Sequence, residues 1–315
     1  MSSIVSPRFR GFTGSANTRL ERAKQAVAFA GMGLLSLSIV APVVLIVYFV
    51  GSRGLPAISW EFLSQMPREG MKAGGIFPAI AGTLALVLLT MLLSVPVGIL
   101  GAIYLNEYAR RGPLVRAIRL AILNLAGVPS IVHGLFGMGV FVMLVIPALI
   151  DLLGVDRGTS STSCLLAGSA TMALLVLPMV ITTTEEALKQ VPQHQRSASL
   201  ALGATRWQTI RRIVLPGAMP GILTGLILAI GRAAGETAPI LLTGAAFYMS
   251  RLPGIKEALF TQFMALPYHL FAVSTQLSGS TDEVKWGTAF VLLALVMGLN
   301  MTAIVLRAWL RRGRK

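Results

Sequence analysis

Charged side chains are scarce in this chain. Asp, Glu, Lys and Arg make up 12% of its 315 residues, whereas soluble domains carry roughly 25%. Apolar residues make up 55%. So few charges could not cover the surface of a soluble protein of this length. The composition therefore predicts that most of the surface faces lipid, and it excludes an ordinary soluble domain.

Cysteine, clustered histidine and an ATP-binding loop are also missing. Cys164 is the only cysteine, which excludes an internal disulfide and a cysteine-rich metal site. His133, His194 and His269 lie far apart, without a metal-binding spacing. No GxxxxGK[ST] sequence occurs, so the chain cannot cradle ATP phosphates by that device. We therefore expect no cofactor or metal in this chain and no enzymatic activity of its own.

Long apolar runs take the place of these motifs. About 20 apolar residues suffice to cross the hydrocarbon core of a membrane. The predicted spans cover residues 27–50, 77–105, 120–150, 163–184, 219–246 and 287–308. The segment before the first run does not resemble a cleaved signal peptide, so the first helix is expected to be retained. The predicted fold is an all-α membrane bundle of about six helices.

The third run is unusually long and contains Pro129. Proline removes a backbone donor and clashes with the preceding turn, so we expect a break or kink near Val128–Ser130. A broken helix at membrane depth is tolerated where it is buried in protein or lines a wet cavity. The alternative is a kinked helix that packs through small residues.

The distribution of basic residues predicts the orientation. With the N-terminus in the cytoplasm, the cytoplasmic segments carry 19 Lys and Arg and the opposite side carries 7. We expect a multi-pass protein of the inner cell membrane with both termini in the cytoplasm. The predicted division is a tail at 1–26, a transmembrane domain at 27–310 and a basic tail at 311–315. The net charge of +15 is explained by this topology rather than by a nucleic-acid partner.

A long polar stretch separates the fourth and fifth runs. Apolar residues recur at helical spacing on both sides of Gly203. The pattern predicts a helix, a glycine break and a short amphipathic helix that ends at Leu215-Pro216-Gly217.

This stretch resembles the EAA loop of permease subunits of binding-protein-dependent ABC importers. The resemblance rests on Gly203, followed after nine residues by Ile213-x-Leu215-Pro216. It implies a coupling loop at 185–218 that docks in a groove of a separate ATPase. The implied docking residues are Ala198, Gly203, Ala204, Thr205, Arg206, Trp207, Leu215 and Pro216. The chain departs from the family at Ser197-Ala198-Ser199, where Glu-Ala-Ala is usual. The alternative is an amphipathic helix lying on lipid.

Arg232 and Glu236 form the only ionisable pair within a predicted span. Burial of either charge alone is costly, so the two must pair or face water. One interpretation is a salt bridge that fixes the bundle. The other is a substrate path in which the planar guanidinium of Arg232 binds an oxyanion. Thr237 belongs to this path, and we expect Ser130 with its neighbouring N–H groups to face Arg232.

Two segments extend the resemblance to the phosphate-specific ABC importer permeases of the PstA type. They are GRAAGETAPILLTG at 231–244 and GVPSIVHGLFG at 127–137. The resemblance implies the type I importer permease fold and uptake of inorganic phosphate. It also implies a second homologous permease, an external phosphate-binding protein and an ATPase dimer that binds ATP and magnesium.

A permease for another oxyanion or polar solute would share all of these features and is the main alternative. Proteins of other classes fit less well. A stand-alone secondary transporter or channel would need inverted repeats and coupling carboxylates, for which only Glu236 is available. A membrane enzyme would need a nucleophile with a base, or a metal site, and the sequence offers no such constellation.

Overall fold

Helices form nearly all of the protein. The computed structural model describes residues 18–71, 73–110, 112–156, 160–254, 257–277 and 279–312. The α-helices are α1 (Thr18–Gly54), α2 (Trp60–Ser64), α3 (Phe77–Ile103), α4 (Pro113–Ala126), α5 (Ser130–Gly137), α6 (Ile146–Leu153), α7 (Leu165–Lys189), α8 (Gln193–Ala201), α9 (Arg206–Thr209), α10 (Leu215–Gly235), α11 (Ala238–Thr243), α12 (Leu266–Thr275) and α13 (Asp282–Arg312). Three π-helical segments are π1 (Tyr104–Tyr108), π2 (Met138–Val145) and π3 (Ile210–Val214). Single 3-10 turns lie at Leu55–Ala57, Glu69–Met71 and Ala258–Phe260.

The sheet content is minimal. Two-residue strands, β1 (Pro67–Arg68) and β2 (Ala73–Gly74), pair antiparallel, with Pro67 opposite Gly74. They are the only strands longer than a single bridge in the part of the chain that the structure describes. The all-α prediction is thus confirmed apart from this short hairpin.

Six helices in the described ranges are long and apolar enough to cross a membrane. They cover Glu21–Ala57, Phe77–Tyr108, Ser130–Leu153, Leu165–Lys189, Arg206–Gly235 and Asp282–Trp309. Each corresponds to one predicted run, and we number them spans one to six. The predicted number of spans is therefore confirmed, although three boundaries differ by ten residues or more.

The third span begins later than predicted. Residues 120–126 belong to α4, a separate amphipathic helix that ends at Ala126. Pro129 stands at the N-cap of α5 with extended backbone angles, φ −56° and ψ 141°. The predicted break near Val128–Ser130 is confirmed. It lies ahead of the span rather than within it, because proline and the residue before it both favour extended backbone between two helices.

The fifth span differs at both ends. The helix that begins at Arg206 runs through π3 into α10, so the predicted end at Leu215-Pro216-Gly217 is wrong. Pro216 follows π3, whose wider turn accommodates a residue without an N–H donor. At the other end α10 stops at Gly235, and Glu236 has extended angles of φ −79° and ψ 134°. The predicted span to residue 246 therefore ends about three turns early.

Spans two and four form the centre of the helix bundle. The α3 and α7 helices pack along each other, and α10 packs on α7 and α13. Their shared core includes Leu86, Met172, Val176 and Ala233, all of which are fully or almost fully buried. A displacement of α3 or α7 would therefore be passed directly to α10.

The first span, as far as Ser52, is a unit of its own. Residues 18–52 form one compact unit, and the described residues from Arg53 onward form a second. In the most apolar window of the first span, no residue is buried inside the protein. This exposure is what an apolar helix that faces lipid requires.

Candidate functional site

Arg232 and Glu236 form an ion pair at the end of α10. The Arg232 Nε atom lies 3.3 Å from Glu236 Oε1. Arg232 stands in the last helical turn, and Glu236 lies just beyond it in extended backbone. The side chains are 32% and 23% exposed. The predicted pair is thus formed although the helix ends between the two residues, and it remains partly accessible.

The start of span three lies against the segment that follows this pair. Ser130 is the first residue of α5 and is half-buried. At Gly134 a β-carbon would lie 3.1 Å from the Ala238 carbonyl oxygen and 3.1 Å from the Pro239 Cα. This close approach joins α5 to α11. The structure therefore brings together the two segments on which the phosphate-permease resemblance rests.

Thr237 connects α10 to α11. It occupies the N-cap position of α11 and is half-buried, with φ −108° and ψ −43°. The hydroxyl makes no capping hydrogen bond within α11. Thr237 thus lies beside Glu236 in the short connection where the span is interrupted.

Two polar side chains near this region lie outside the predicted site residues, and of these only Asn300 was not considered from the sequence. Asn300 of α13 lies against α10, where a β-carbon at Gly231 would be 3.2 Å from Asn300 Nδ2. His133 is 3% exposed, and its Nδ1 atom lies 3.4 Å from the Pro129 carbonyl oxygen. Among the described residues, Asn300 Oδ1 and His133 Nε2 are buried without a hydrogen-bond partner. An amide within an otherwise apolar run was the sequence signal for Asn300.

The loop between spans four and five folds into a defined turn. Gly203 follows α8 with φ +84°, a left-handed conformation that favours glycine. The Ala204 N–H donates to the Ser199 carbonyl oxygen at 3.2 Å and closes the helix end. A capping box starts α9: the Gln208 N–H donates to Thr205 Oγ1, and the Thr205 N–H donates to Gln208 Oε1. We call residues 193–209 the coupling segment.

Most of the predicted docking residues are on the surface of this segment. Ala198, Gly203, Thr205, Arg206 and Trp207 are exposed, whereas Ala204, Leu215 and Pro216 are half-buried. Leu202, which was not predicted, is 90% exposed. It lines an apolar groove of about 480 Å³ together with Ala198, Ala204 and Ile213. The sequence signal for Leu202 was its place directly before the glycine turn.

A buried arginine ties the coupling segment to the bundle. The Arg196 Nη2 atom lies 3.0 Å from Glu107 Oε1, with side chains 11% and 13% exposed. Arg196 also donates to the carbonyl oxygens of Leu188 and Val191. Glu107 belongs to π1, which continues span two, and Leu188 to the last turn of span four. Sequence reasoning missed this contact because Glu107 and Arg196 are 89 positions apart.

A second arginine joins the same two spans. The Arg119 Nη2 atom of α4 lies 3.3 Å from Glu185 Oε1 in α7. It also donates to the Leu105 carbonyl oxygen at 3.1 Å. Arg119 thus cross-links the ends of spans two and four, but it does not belong to the coupling segment.

The chain belongs to the binding-protein-dependent transport system inner membrane components, a family of membrane transport proteins. The sequence profile of that family matches residues 94–315. The phosphate transport system permease protein PstA of Mycobacterium leprae is 36% identical, over 84% of this chain and 83% of that protein. PstA 1 of Mycobacterium tuberculosis is 32% identical, over 95% of this chain and 92% of its own length.

A solved structure supports the same fold. The match is a chain of a bacterial ABC transporter involved in the import of the acidic polysaccharide alginate. It superposes with a TM-score of 0.64 and 18% identity, over 94% of this chain and 98% of that chain. The predicted fold, that of a multi-pass ABC importer permease, is thereby confirmed.

Proposed function

We propose that this chain is a permease subunit of an ATP-driven importer of inorganic phosphate. The observation that carries the proposal is the partly exposed Arg232–Glu236 pair at the interruption of span five. A cation inside a span is costly unless it is paired or serves transport. The relatives named for phosphate transport support phosphate as the substrate.

The pair suits a partly protonated phosphate. Glu236 engages the Nε atom of Arg232, and the guanidinium has two further nitrogens that can donate side by side to an oxyanion. Glu236 accepts a hydrogen bond from a protonated phosphate oxygen and repels a fully ionised anion. Thr237 and Ser130 add hydroxyl donors beside the path.

The remaining machinery lies in other chains. An ATPase dimer, which binds ATP and magnesium, docks on the exposed surface of the coupling segment. An external phosphate-binding protein delivers the substrate, and a second homologous permease completes the path. Support comes from the absence of an ATP-binding loop in this sequence and from the exposure of Trp207 and Leu202 on the coupling segment.

This arrangement requires the coupling segment to face the cytoplasm, where ATP is found. The 19-to-7 division of basic residues supports that orientation, with both termini in the cytoplasm. A single cysteine introduced at Leu202 should react with a membrane-impermeant thiol reagent only after spheroplasts are opened. The native Cys164 is buried, so the protein without the introduced cysteine serves as the unlabelled control. Labelling of the Leu202 position in intact spheroplasts would show that the coupling segment faces the outside instead.

The substrate-path role is tested by uptake of radiolabelled phosphate into proteoliposomes that contain all subunits. Arg232→Gln should lower uptake by at least about tenfold, because a neutral amide replaces the cation that binds the anion. Arg232→Lys should retain part of it, since the charge remains but the planar fork is lost. Arg251→Gln, a change at an exposed residue, is the control and should behave as wild type. Near-normal uptake by Arg232→Gln would remove this residue from the path.

The same vesicles test the alternative substrate class. The geometry around Arg232 suits tetrahedral oxyanions in general, so unlabelled sulfate is added in excess. Unchanged phosphate uptake supports phosphate as the substrate. Strong inhibition, with uptake of labelled sulfate, would assign the permease to a broader range of oxyanions.

A further inference from the structure

One guanidinium contacts the neighbouring end of span four and also the end of span two, 89 positions away in the sequence. Arg196 belongs to α8 of the coupling segment. Its Nη2 atom contacts Glu107 at the end of span two and the Leu188 carbonyl oxygen at the end of span four, at 3.0 and 2.8 Å. Its Nη1 atom donates to the Val191 carbonyl oxygen, which lies just beyond span four. The Arg196 and Glu107 side chains are only 11% and 13% exposed, and both line a cavity of about 490 Å³ beside the coupling segment.

The coupling segment has a second, different connection to the bundle. Its last helix, α9, continues through π3 into α10, so it joins span five through the main chain. Span four is joined to α8 by the short main-chain link 190–192, whereas span two has no such link to α8. Arg196 connects α8 to span two through Glu107, and its carbonyl contacts fix α8 against the end of span four. Since α3 and α7 form the centre of the bundle, a connection to their ends reaches the whole core.

We propose that Arg196 is a positioning residue that transmits movement of the docked coupling segment to spans two and four. The proposal rests on the proposed function, because it requires an ATPase that moves this segment. Charge-assisted hydrogen bonds are stronger than neutral ones, and separating a buried ion pair is costly. Movement of α8 therefore carries Glu107 and the end of α7 with it. Glu107 lies in a π-helical segment, a form of helix often found at functional sites.

Arg119 provides a matched control. It bridges the ends of the same two spans through Leu105 and Glu185, but it extends from α4 rather than from the coupling segment. If the contacts of Arg196 only hold spans two and four together, loss of either arginine should have the same effect. If Arg196 transmits movement, only its loss should separate ATP hydrolysis from transport.

The experiment uses the complete complex in proteoliposomes and measures phosphate moved per ATP hydrolysed. The main variant is Arg196→Gln with Glu107→Gln, because the single change would leave the largely buried charge of Glu107 without its cation, with only the Asn106 amide still donating to it. We expect the ATPase to co-purify as in wild type and hydrolysis to continue. The ratio of phosphate to ATP should fall about tenfold, within the range usual for coupling between linked sites. Arg196→Lys should give an intermediate ratio, since one ammonium can pair with Glu107 but lacks the planar fork. The equivalent double change, Arg119→Gln with Glu185→Gln, should leave the ratio unchanged.

Three results would overturn the proposal. They are an unchanged ratio in the Arg196–Glu107 double variant, an equal fall in the Arg119–Glu185 double variant, and loss of ATPase co-purification in the Arg196–Glu107 double variant. The last result would make Arg196 part of docking rather than of transmission. Failure of the proposed function is a different result, in which the wild-type complex hydrolyses ATP but moves no phosphate. In that case the readout is the stimulation of ATP hydrolysis by the binding protein. We expect Arg196→Gln with Glu107→Gln to abolish this stimulation, and retained stimulation would reject the role of Arg196.

Discussion

The hydroxyl groups of Ser199 and Thr209 lie 2.9 Å apart and join α8 to α9 across the turn at Gly203. The two residues are only 8% and 4% exposed. Ser199 also occupies the last position of the triplet in which this chain departs from the Glu-Ala-Ala usual in the family. The departure thus provides a hydrogen bond that an alanine could not form.

We predict that Ser199→Ala loosens the coupling segment. The change leaves the Thr209 hydroxyl buried without its partner, at a cost of about 1–3 kcal/mol. Hydrogen exchange of the α8 and α9 amides should become faster. Ser199→Ala with Thr209→Val removes both hydroxyls and should restore slow exchange. Ser197→Ala, at an exposed position, is the control. Equal exchange in all variants would show that the bond does not stabilise the segment.

A substitution at Gly203 tests the glycine turn. No atom of the described residues lies within 4 Å of a β-carbon built there, so a side chain meets only the strain of the left-handed backbone. Gly203→Val should cost at least about 1–2 kcal/mol of local stability. It should reduce co-purification of the ATPase. Gly203→Asn should retain more of the co-purified ATPase than Gly203→Val does, since asparagine tolerates this conformation. Equal recovery of the ATPase with both variants would contradict the importance of the turn.

Two neighbouring glycines of span three should respond oppositely to alanine. A β-carbon at Gly137 would overlap the buried side chain of Thr171 in α7, whereas a β-carbon at Gly139 would have no atom of the described residues within 4 Å. Gly137→Ala should therefore destabilise the protein by about 1–3 kcal/mol. Gly139→Ala should be neutral or slightly stabilising. Thermal unfolding of the purified chain in detergent measures both. A Gly137→Ala variant as stable as Gly139→Ala would mean that the α5–α7 contact is looser than in the structure.

Acidification should destabilise the protein through His269 of α12, which lies outside the six spans. Burial lowers the pKa of His269 from its ordinary value of 6.5 to about 4. Between these two pH values the His269 side chain is protonated in the unfolded chain and neutral in the folded chain. Stability should be lost as pH falls from about 6.5 towards about 4. His269→Leu should flatten this part of the curve of melting temperature against pH. His194→Gln, at an exposed histidine, should not. Identical curves for wild type and His269→Leu would refute the assignment.

The sequence predicted the spans well because each depends on local composition. Apolar runs are bounded by charges, and Pro129 marks the break before span three whatever surrounds it. Gly203 likewise predicts the turn between α8 and α9. These features need no knowledge of distant residues.

The contacts between spans could not be predicted in this way. Glu107 and Arg196 pair across 89 positions, and nothing near either residue indicates the other. The continuation of α9 into α10 was missed because Leu215-Pro216-Gly217 usually ends a helix. Here π3 precedes the proline and lets the helix continue. The early end of α10 was missed because Arg232 and Glu236 have the spacing of one helix face.

The π-helical segments also affect how the spans can be compared between relatives. A wide turn of this kind holds one more residue than an α-helical turn, and one residue corresponds to about 100° of rotation. Every side chain after π3, including Arg232, is therefore turned by about 100° relative to the α-helix that starts at Arg206. A homologue that lacks one residue within 210–214 could continue as a regular α-helix and still present its arginine in the same direction. Alignments of these permeases should accordingly tolerate a single-residue gap there without assuming that the site has changed.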